Sequence, residues 1–204
     1  VTSSTTVALT PANCTDTHGL FVNEGTAPAA GDAGWQSCST TAGSLTYTLT
    51  GADGVRSLKV WAKDEAGNVS AATTVGVTLD RVAPALSLTA PVGGEYVRGG
   101  ANTTITWTAT DLNFGGTPIA LDVSSDDGAT WSSLATNLAN TGSYIWNVPG
   151  SIDSSTYRVR VRASDLAGNA SASGSPAAFT IDSTAPTLAS LTINGGATSS
   201  ATNF

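Results

Sequence analysis

The chain has 204 residues, a formal net charge of −7, a hydrophobic fraction of 40% and a charged fraction of only 11%, with one His, two Cys and no Met. The acidic balance argues against a nucleic-acid partner, whose phosphates need a basic surface, and no apolar run approaches the roughly 18 residues of a membrane-spanning helix. A single histidine excludes a multi-histidine metal or catalytic centre. Ser and Thr, roughly a quarter of the residues, and 22 Gly stand where long helices would carry Glu, Lys and Arg, so the composition favours strands and tight turns.

The opening residues carry no basic segment followed by an apolar one, and Val1 is not an initiator Met, so the sequence reads as a piece of a longer protein. The first predicted strands span residues 17–23 and 35–38, separated by a long loop at 23–34. Leu45, Tyr47 and Leu49 then alternate with polar residues, as do Leu58, Val60 and Ala62, and Val75, Val77 and Leu79. This period of two marks half-buried strands. Further on, Ile105, Trp107 and Ala109 alternate with Thr, and Ile119, Leu121 and Val123 form a second such face. Tyr144, Trp146 and Val148 make a third; in a fourth, Tyr157, Val159, Val161 and Ala163 interleave with Arg158, Arg160 and Arg162. No stretch of ten or more residues has a convincing helical period.

One pattern occurs twice. Asp64-Glu65-Ala66-Gly67-Asn68 precedes Val77-Thr78-Leu79-Asp80 and Ala83-Pro84; Asp165-Leu166-Ala167-Gly168-Asn169 precedes Phe179-Thr180-Ile181-Asp182 and Ala185-Pro186. The turns lie 101 residues apart and the Ala-Pro pairs 102. A period near 100 is too long for a solenoid unit and matches a whole immunoglobulin-like sandwich. The expected organisation is all-β: tandem Ig-like sandwiches over residues 1–83 and 84–185, with a further repeat or tail from 186 to 204. In each repeat the Asp-x-Ala-Gly-Asn run is the loop of the last hairpin, the F–G loop, and the Ala-Pro linker stiffens the joint.

The duplicated motif, together with Thr106-Trp107-Thr108-Ala109-Thr110-Asp111 and Gly142-Ser143-Tyr144, resembles the tandem Ig-like repeats of large secreted or surface-anchored bacterial proteins, adhesins especially. The resemblance implies a non-catalytic, extracellular spacer or adhesive segment. Its partners would be neighbouring domains of the same chain and a host or prey cell-surface glycan or protein. The alternative is a carbohydrate-binding or accessory module of a secreted enzyme.

Catalysis finds no support. His18 is the only base for a Ser-His-acid arrangement, and Lys59 and Lys63, the only lysines, leave the second unit unable to form a Lys–Asn isopeptide. Residues Ser124–Trp131 fit the S-x-D-x-G-x-T-W pattern of an Asp box, but a single copy in a sandwich-length unit reads as a hairpin turn. Arg158, Arg160 and Arg162 could meet an anionic glycan or could protect a sheet face. Phe114 and Trp131 are the candidates for stacking on a sugar, against the competing role of packing.

Two expectations concern bonds. Cys14 and Cys38 should pair as a disulfide, because two Cys in an extracellular-looking chain favour it and strands B (17–23) and C (35–38) bring them to one pole. Calcium is expected at the domain junction, where Asp80 from the linker, Asp111 from the second unit's B–C loop and Asp165 from its F–G loop should converge on an oxygen-only shell. The resemblance implies the same, since some such repeats bind Ca²⁺ at their linkers. Asp64, assisted by Glu24, would be the equivalent at the first unit's entry, and Asp182 would serve a following repeat. The competing role of each Asp is to fix its own turn.

Overall fold

The computed structural model describes residues 1–188; the expected further repeat or tail lies almost wholly outside them. Among the described residues there are fifteen strands and no helix: β1 (Thr6–Leu9), β2 (Gly19–Asn23), β3 (Gln36–Ser37), β4 (Leu45–Thr48), β5 (Gly54–Lys63), β6 (Thr73–Leu79), β7 (Ala85–Ala90), β8 (Tyr96–Arg98), β9 (Asn102–Thr110), β10 (Phe114–Ser124), β11 (Ser132–Leu138), β12 (Ser143–Asn147), β13 (Ser154–Asp165), β14 (Ala170–Gly174) and β15 (Phe179–Asp182). No sheet mixes strands from the two sides of the Asp80–Pro84 linker.

The second unit is a two-sheet sandwich. One sheet has the order β12-β9-β7; the other runs β11-β10-β13-β15-β8, with β14 also paired to β13. In sandwich lettering these are E-B-A and C′-C-F-G-A′, the last pairing, β8 on β15, being parallel. The alternation of the sequence becomes the two faces of each strand. Ile105, Trp107, Ile119, Leu121, Val159, Val161, Phe179 and Ile181 point between the sheets and are almost fully buried. The alternating arginines lie on the other face of β13, and they are not free. Arg160 and Arg162 both bond to Asp122, at 2.8 and 2.7 Å, a carboxylate only 3% exposed. Burial pushes the Asp122 carboxyl up, but hydrogen bonds from Arg162 and Arg160 and their charges outweigh it and hold it below the usual carboxylate range. The Arg160 guanidinium also lies over the Trp131 ring, 4.4 Å from its centroid. Arg158 bonds to Asp127 at 2.6 Å. The Asp-box run folds as the β10–β11 hairpin turn. Asp126 accepts from both the N–H and the hydroxyl of Thr130, and Gly128 sits at φ 90°.

The first unit repeats this plan with fewer strands. Its sheets are β1-β4 and β3-β2-β5-β6. By its pairing with β5, the F strand, β2 is strand C; β3 is C′, and β1, paired with β4, is B. The expected assignment of 17–23 to B and 35–38 to C is therefore shifted by one strand. Strand B is four residues long and begins close to Val1, where the sequence offers only Val7 and Leu9 as an alternating pair. Cys14 in the β1–β2 loop and Cys38 just beyond β3 are joined in a disulfide. The long loop after β2 is held by Trp35, whose indole N–H donates to the Ala29 carbonyl and whose ring packs on Phe21 and under Lys63. The core contains six buried residues, Leu20, Val22, Leu45, Leu49, Leu58 and Leu79, against thirteen in the second unit, so the first has less hydrophobic driving force of its own.

Candidate functional site

The site lies where the two sandwiches meet, and three segments build it. Strand β6 ends at Leu79, and the chain enters the linker at Asp80, which is 5% exposed. The β9–β10 loop supplies Asp111 and Asn113. The β13–β14 loop, Asp165–Asn169, supplies the third. Each segment is shaped by its own aspartate. The Asp80 carboxylate accepts the Val82 N–H at 3.1 Å, Asp111 accepts the Asn113 N–H at 2.7 Å, and Asp165 accepts those of Ala167 and Asn169 at 2.8 and 2.9 Å. Gly168, at φ 89°, makes the tight return that lets the Asp165 N–H reach the Asn169 carbonyl.

The turns are then tied to one another. Leu166 N–H donates to the Asn113 carbonyl at 2.9 Å, joining the two loops of the second unit. The Asn113 carboxamide donates to Asp80 Oδ2 at 2.7 Å. The Asn169 carboxamide donates to the linker carbonyls of Asp80 and Val82, at 3.0 and 3.3 Å, and to Asp165 at 2.8 Å. Ser3 Oγ donates to the Ala167 carbonyl at 3.0 Å. Two asparagines thus read the backbone and carboxylate of the incoming linker.

Asp80, Asp111 and Asp165 each bring a carboxylate oxygen within 4.8 Å of the other two. The expected convergence of these three is what the structure contains. None of them is in an ion pair among the described residues; Arg81, next along the chain, turns instead to Asp53, with Nε–Oδ1 at 2.6 Å. A carboxylate has room for about four hydrogen-bond or metal contacts, so fixing a turn and facing a cation are compatible roles. The donor set is hard oxygen without nitrogen or sulfur, which suits a hard divalent cation such as Ca²⁺, Mg²⁺ or Mn²⁺ and disfavours the softer metals that take nitrogen or sulfur. Asp80 and Asp111 themselves line a cleft of about 440 Å³, with Asp53, Leu79, Val82 and Leu112 among its other walls.

The remaining candidates lie elsewhere. Asp64 sits in the corresponding loop of the first unit, where it accepts from the Asn68 backbone N–H at 2.8 Å and the Asn68 carboxamide at 2.7 Å. Glu24 does not join it. That residue follows strand C, not B, and runs with it toward the opposite pole, where it pairs with Arg56 at 3.4 Å. Phe114 begins β10 half-buried against the core, Trp131 is half-buried under Arg160, and His18 is exposed beside the disulfide loop. Asp182 repeats Asp80, accepting the Thr184 N–H at 2.9 Å.

Sequence reasoning missed Asp53, Asp153, Asn113 and the bonding role of Asn169. Asp53 accepts the Arg81 N–H at 2.8 Å, and Asp153 accepts the Ser183 N–H at 2.6 Å, each clamping the linker that leaves its sandwich. These backbone bonds are the leading cause that holds both carboxyls below the usual range. The signal was present: the two residues are 100 apart, close to the repeat offset, and each stands just before its F strand.

No protein-family model matches the chain, and no curated protein does. Among solved structures it is similar to the fibronectin(III)-like modules of Clostridium thermocellum CbhA, at 19% identity and a TM-score of 0.50, over 86% of this chain and 85% of that one. It also matches a tetra-tandem repeat in the extending region of a large adhesion protein, at 22% identity and a TM-score of 0.40. That match covers 82% of this chain and 42% of the other. Together with the sheet topology, the first likeness defines the class by its fold: an all-β chain of Ig-like, fibronectin(III)-type sandwiches.

Proposed function

We propose that the chain is a structural spacer or adhesive segment of an extracellular protein, with its two sandwiches held in series by Ca²⁺ at the junction. The observation that carries this reading is the convergence of Asp80, Asp111 and Asp165, one from the linker and two from the next sandwich, on a joint already tied by Asn113 and Asn169. Three like charges so close repel one another. A divalent cation bound by all three would turn that repulsion into a cross-link between linker and sandwich, with carbonyls and water completing a shell of six to eight oxygens. A stiff joint projects whatever the longer chain carries next. The disulfide supports an oxidising, extracellular setting. An accessory glycan-binding role is less favoured, since Phe114 packs on the core and one face of Trp131 is covered by Arg160.

The test is thermal melting and small-angle scattering of the chain in CaCl₂ and in chelator. Calcium should raise the melting temperature and narrow the distribution of particle lengths, and Asp80→Ala and Asp165→Ala should each remove both effects. If wild type behaves identically with and without calcium, the joint is held by hydrogen bonds and the proline linker alone.

A further inference from the structure

The outer face of β13 carries an arrangement that the junction does not use. A guanidinium has two edges that grip a carboxylate: a side edge, Nε with Nη2, and an end edge, Nη1 with the second N–H of Nη2. Arg162 commits its side edge to Asp122, with Nε donating to Oδ2 at 2.7 Å and Nη2 to Oδ1 at 3.0 Å. Arg160 uses the same two nitrogens, Nε at 2.9 Å and Nη2 at 2.8 Å, both on Asp122 Oδ2. Among the described residues neither Nη1 has an acceptor. Two guanidiniums share one carboxylate, so the trio keeps one net positive charge on a chain whose formal net charge is −7. Asp122 is buried, while the Arg162 side chain is 46% exposed, so that charge stays within reach of solvent.

The sheet register explains why Arg162 is left uncovered. Its cross-strand neighbours are Ala120 on β10 and Ala172 on β14, and Ser164, next along the same face, is paired with Ala170. None of these side chains is long enough to lie over the arginine. The result is a shallow recess of about 310 Å³ walled by Pro118, Ala120, Arg162, Ser164, Ala170 and Ala172, with no acidic residue on its walls.

Two physical arguments say what such a recess takes. An arginine already locked by a buried carboxylate loses little side-chain freedom on binding, and its planar fork matches a second carboxylate through two parallel N–H···O bonds. The strand that carries Arg162 is paired on both sides, so a peptide finds no main-chain ladder to extend there. The walls offer methyl groups, a proline ring and the Ser164 hydroxyl, which match the C–H face and the hydroxyls of a sugar ring. Phe114 and Trp131 take no part, so recognition rests on charge and not on aromatic stacking.

We propose that this recess binds the carboxylate of an acidic sugar, a uronate residue of a polysaccharide, gripped by the end edge of Arg162 with the ring resting on Ala120 and Ala172. The site belongs to the second sandwich alone and is independent of a cation at the junction.

The test is titration of the whole chain with an oligogalacturonate in calcium-depleted buffer, read by calorimetry and by amide shifts. Shifts should centre on Ala120, Arg162 and Ala172. Methyl esterification of the same oligosaccharide, which removes the charge and keeps the ring, should weaken binding by at least about tenfold. Arg162→Ala leaves Asp122 paired with Arg160, so the fold should persist while affinity drops by a similar factor. Arg162→Lys should weaken binding too, because an ammonium keeps the charge without the fork. Ala172→Glu, at an exposed position directly opposite Arg162, should leave the melting temperature undiminished and abolish binding by placing a carboxylate on the end edge. Equal affinity for acid and ester, unchanged affinity in Arg162→Ala, or shifts confined to the junction loops would sink the proposal. An oligoglutamate of the same length that binds as tightly would make the partner an acidic peptide and overturn the assignment to a sugar.

Discussion

Asp126 concentrates, in one residue, the chemistry that the aspartates of this chain share. Its carboxylate accepts the hydroxyl and N–H of Thr130 and the hydroxyl of Ser124, and these bonds hold its pKa down to about 2 from an ordinary 3.8. Asp53, Asp64 and Asp153 are lowered by the same kind of bond. Protonating such a group breaks the turn it organises. The sign follows from linkage: the unfolded chain binds the proton more readily, so this stabilisation is complete above about pH 4 and is lost as pH falls toward 2. Urea melts at pH 5 and at pH 2.5 should therefore show the β10–β11 region losing stability on acidification. Asp126→Asn should reduce the difference by lowering stability at pH 5 alone; equal stability of the variant and wild type at pH 5 would contradict this account. The chemistry of turns was legible in the sequence, since Asp followed by Gly at fixed spacing has few other uses. Less legible was what each carboxylate does with its remaining lone pairs. The Asp122 partnership with Arg160 and Arg162 requires the register of β10 against β13, which no local pattern encodes.

Among the elements, the first sandwich is the one that needs help. With six buried core residues, and a B strand paired on one side only, it relies on the Cys14–Cys38 link to hold the β1–β2 loop against the end of β3. The bridge spans a sequence separation of 24. In the chain-entropy account, closing a loop of that size contributes about 3 kcal/mol. Replacing both cysteines by serine should lower the melting transition of the first sandwich by on the order of 10 °C and leave that of the second unchanged, as read by calorimetry. A single unshifted transition would mean that the loop is held by packing instead. The pairing was readable because cysteine chemistry is sparse and compartment-dependent. The lettering of the strands around it was not. A run such as Gly19–Asn23 announces a strand by its alternation, but only its partner, here β5, says which strand it is. Counting from the start of the sequence placed it one position early, and that misplaced Glu24 with it. In the second sandwich the six positions A, B, C, E, F and G are occupied in order, with no strand D among the described residues, and the alternating runs map directly onto the observed strands.

At the scale of the whole molecule, the proposed role rests on how one sandwich is set upon the next, and the two copies of the Asp-x-Ala-Gly-Asn loop form an internal control. In both, the asparagine carboxamide donates to the loop's own aspartate, at 2.7 Å for Asn68 and 2.8 Å for Asn169. Only Asn169 also holds a linker, through the carbonyls of Asp80 and Val82. Removing either carboxamide should cost its loop about 1 kcal/mol, the usual net worth of a hydrogen bond. The consequences for shape should differ. Asn169→Ala frees two linker carbonyls and leaves the joint to Asn113, Ser3 and the proline, so the two sandwiches should sample a wider range of angles. Asn68→Ala should leave their alignment as in wild type, because among the described residues no hydrogen bond ties that loop to the linker or to the second sandwich. Residual dipolar couplings collected in chelator measure this without any contribution from bound calcium. In chelator the alignment tensors of the two sandwiches should differ by the same amount in wild type and Asn68→Ala, and should diverge further in Asn169→Ala. If the difference in Asn169→Ala equals that in wild type, the asparagine fixes only its own turn. The orientation would then be set by the remaining contacts, with Asn113 on the Asp80 carboxylate the first to examine.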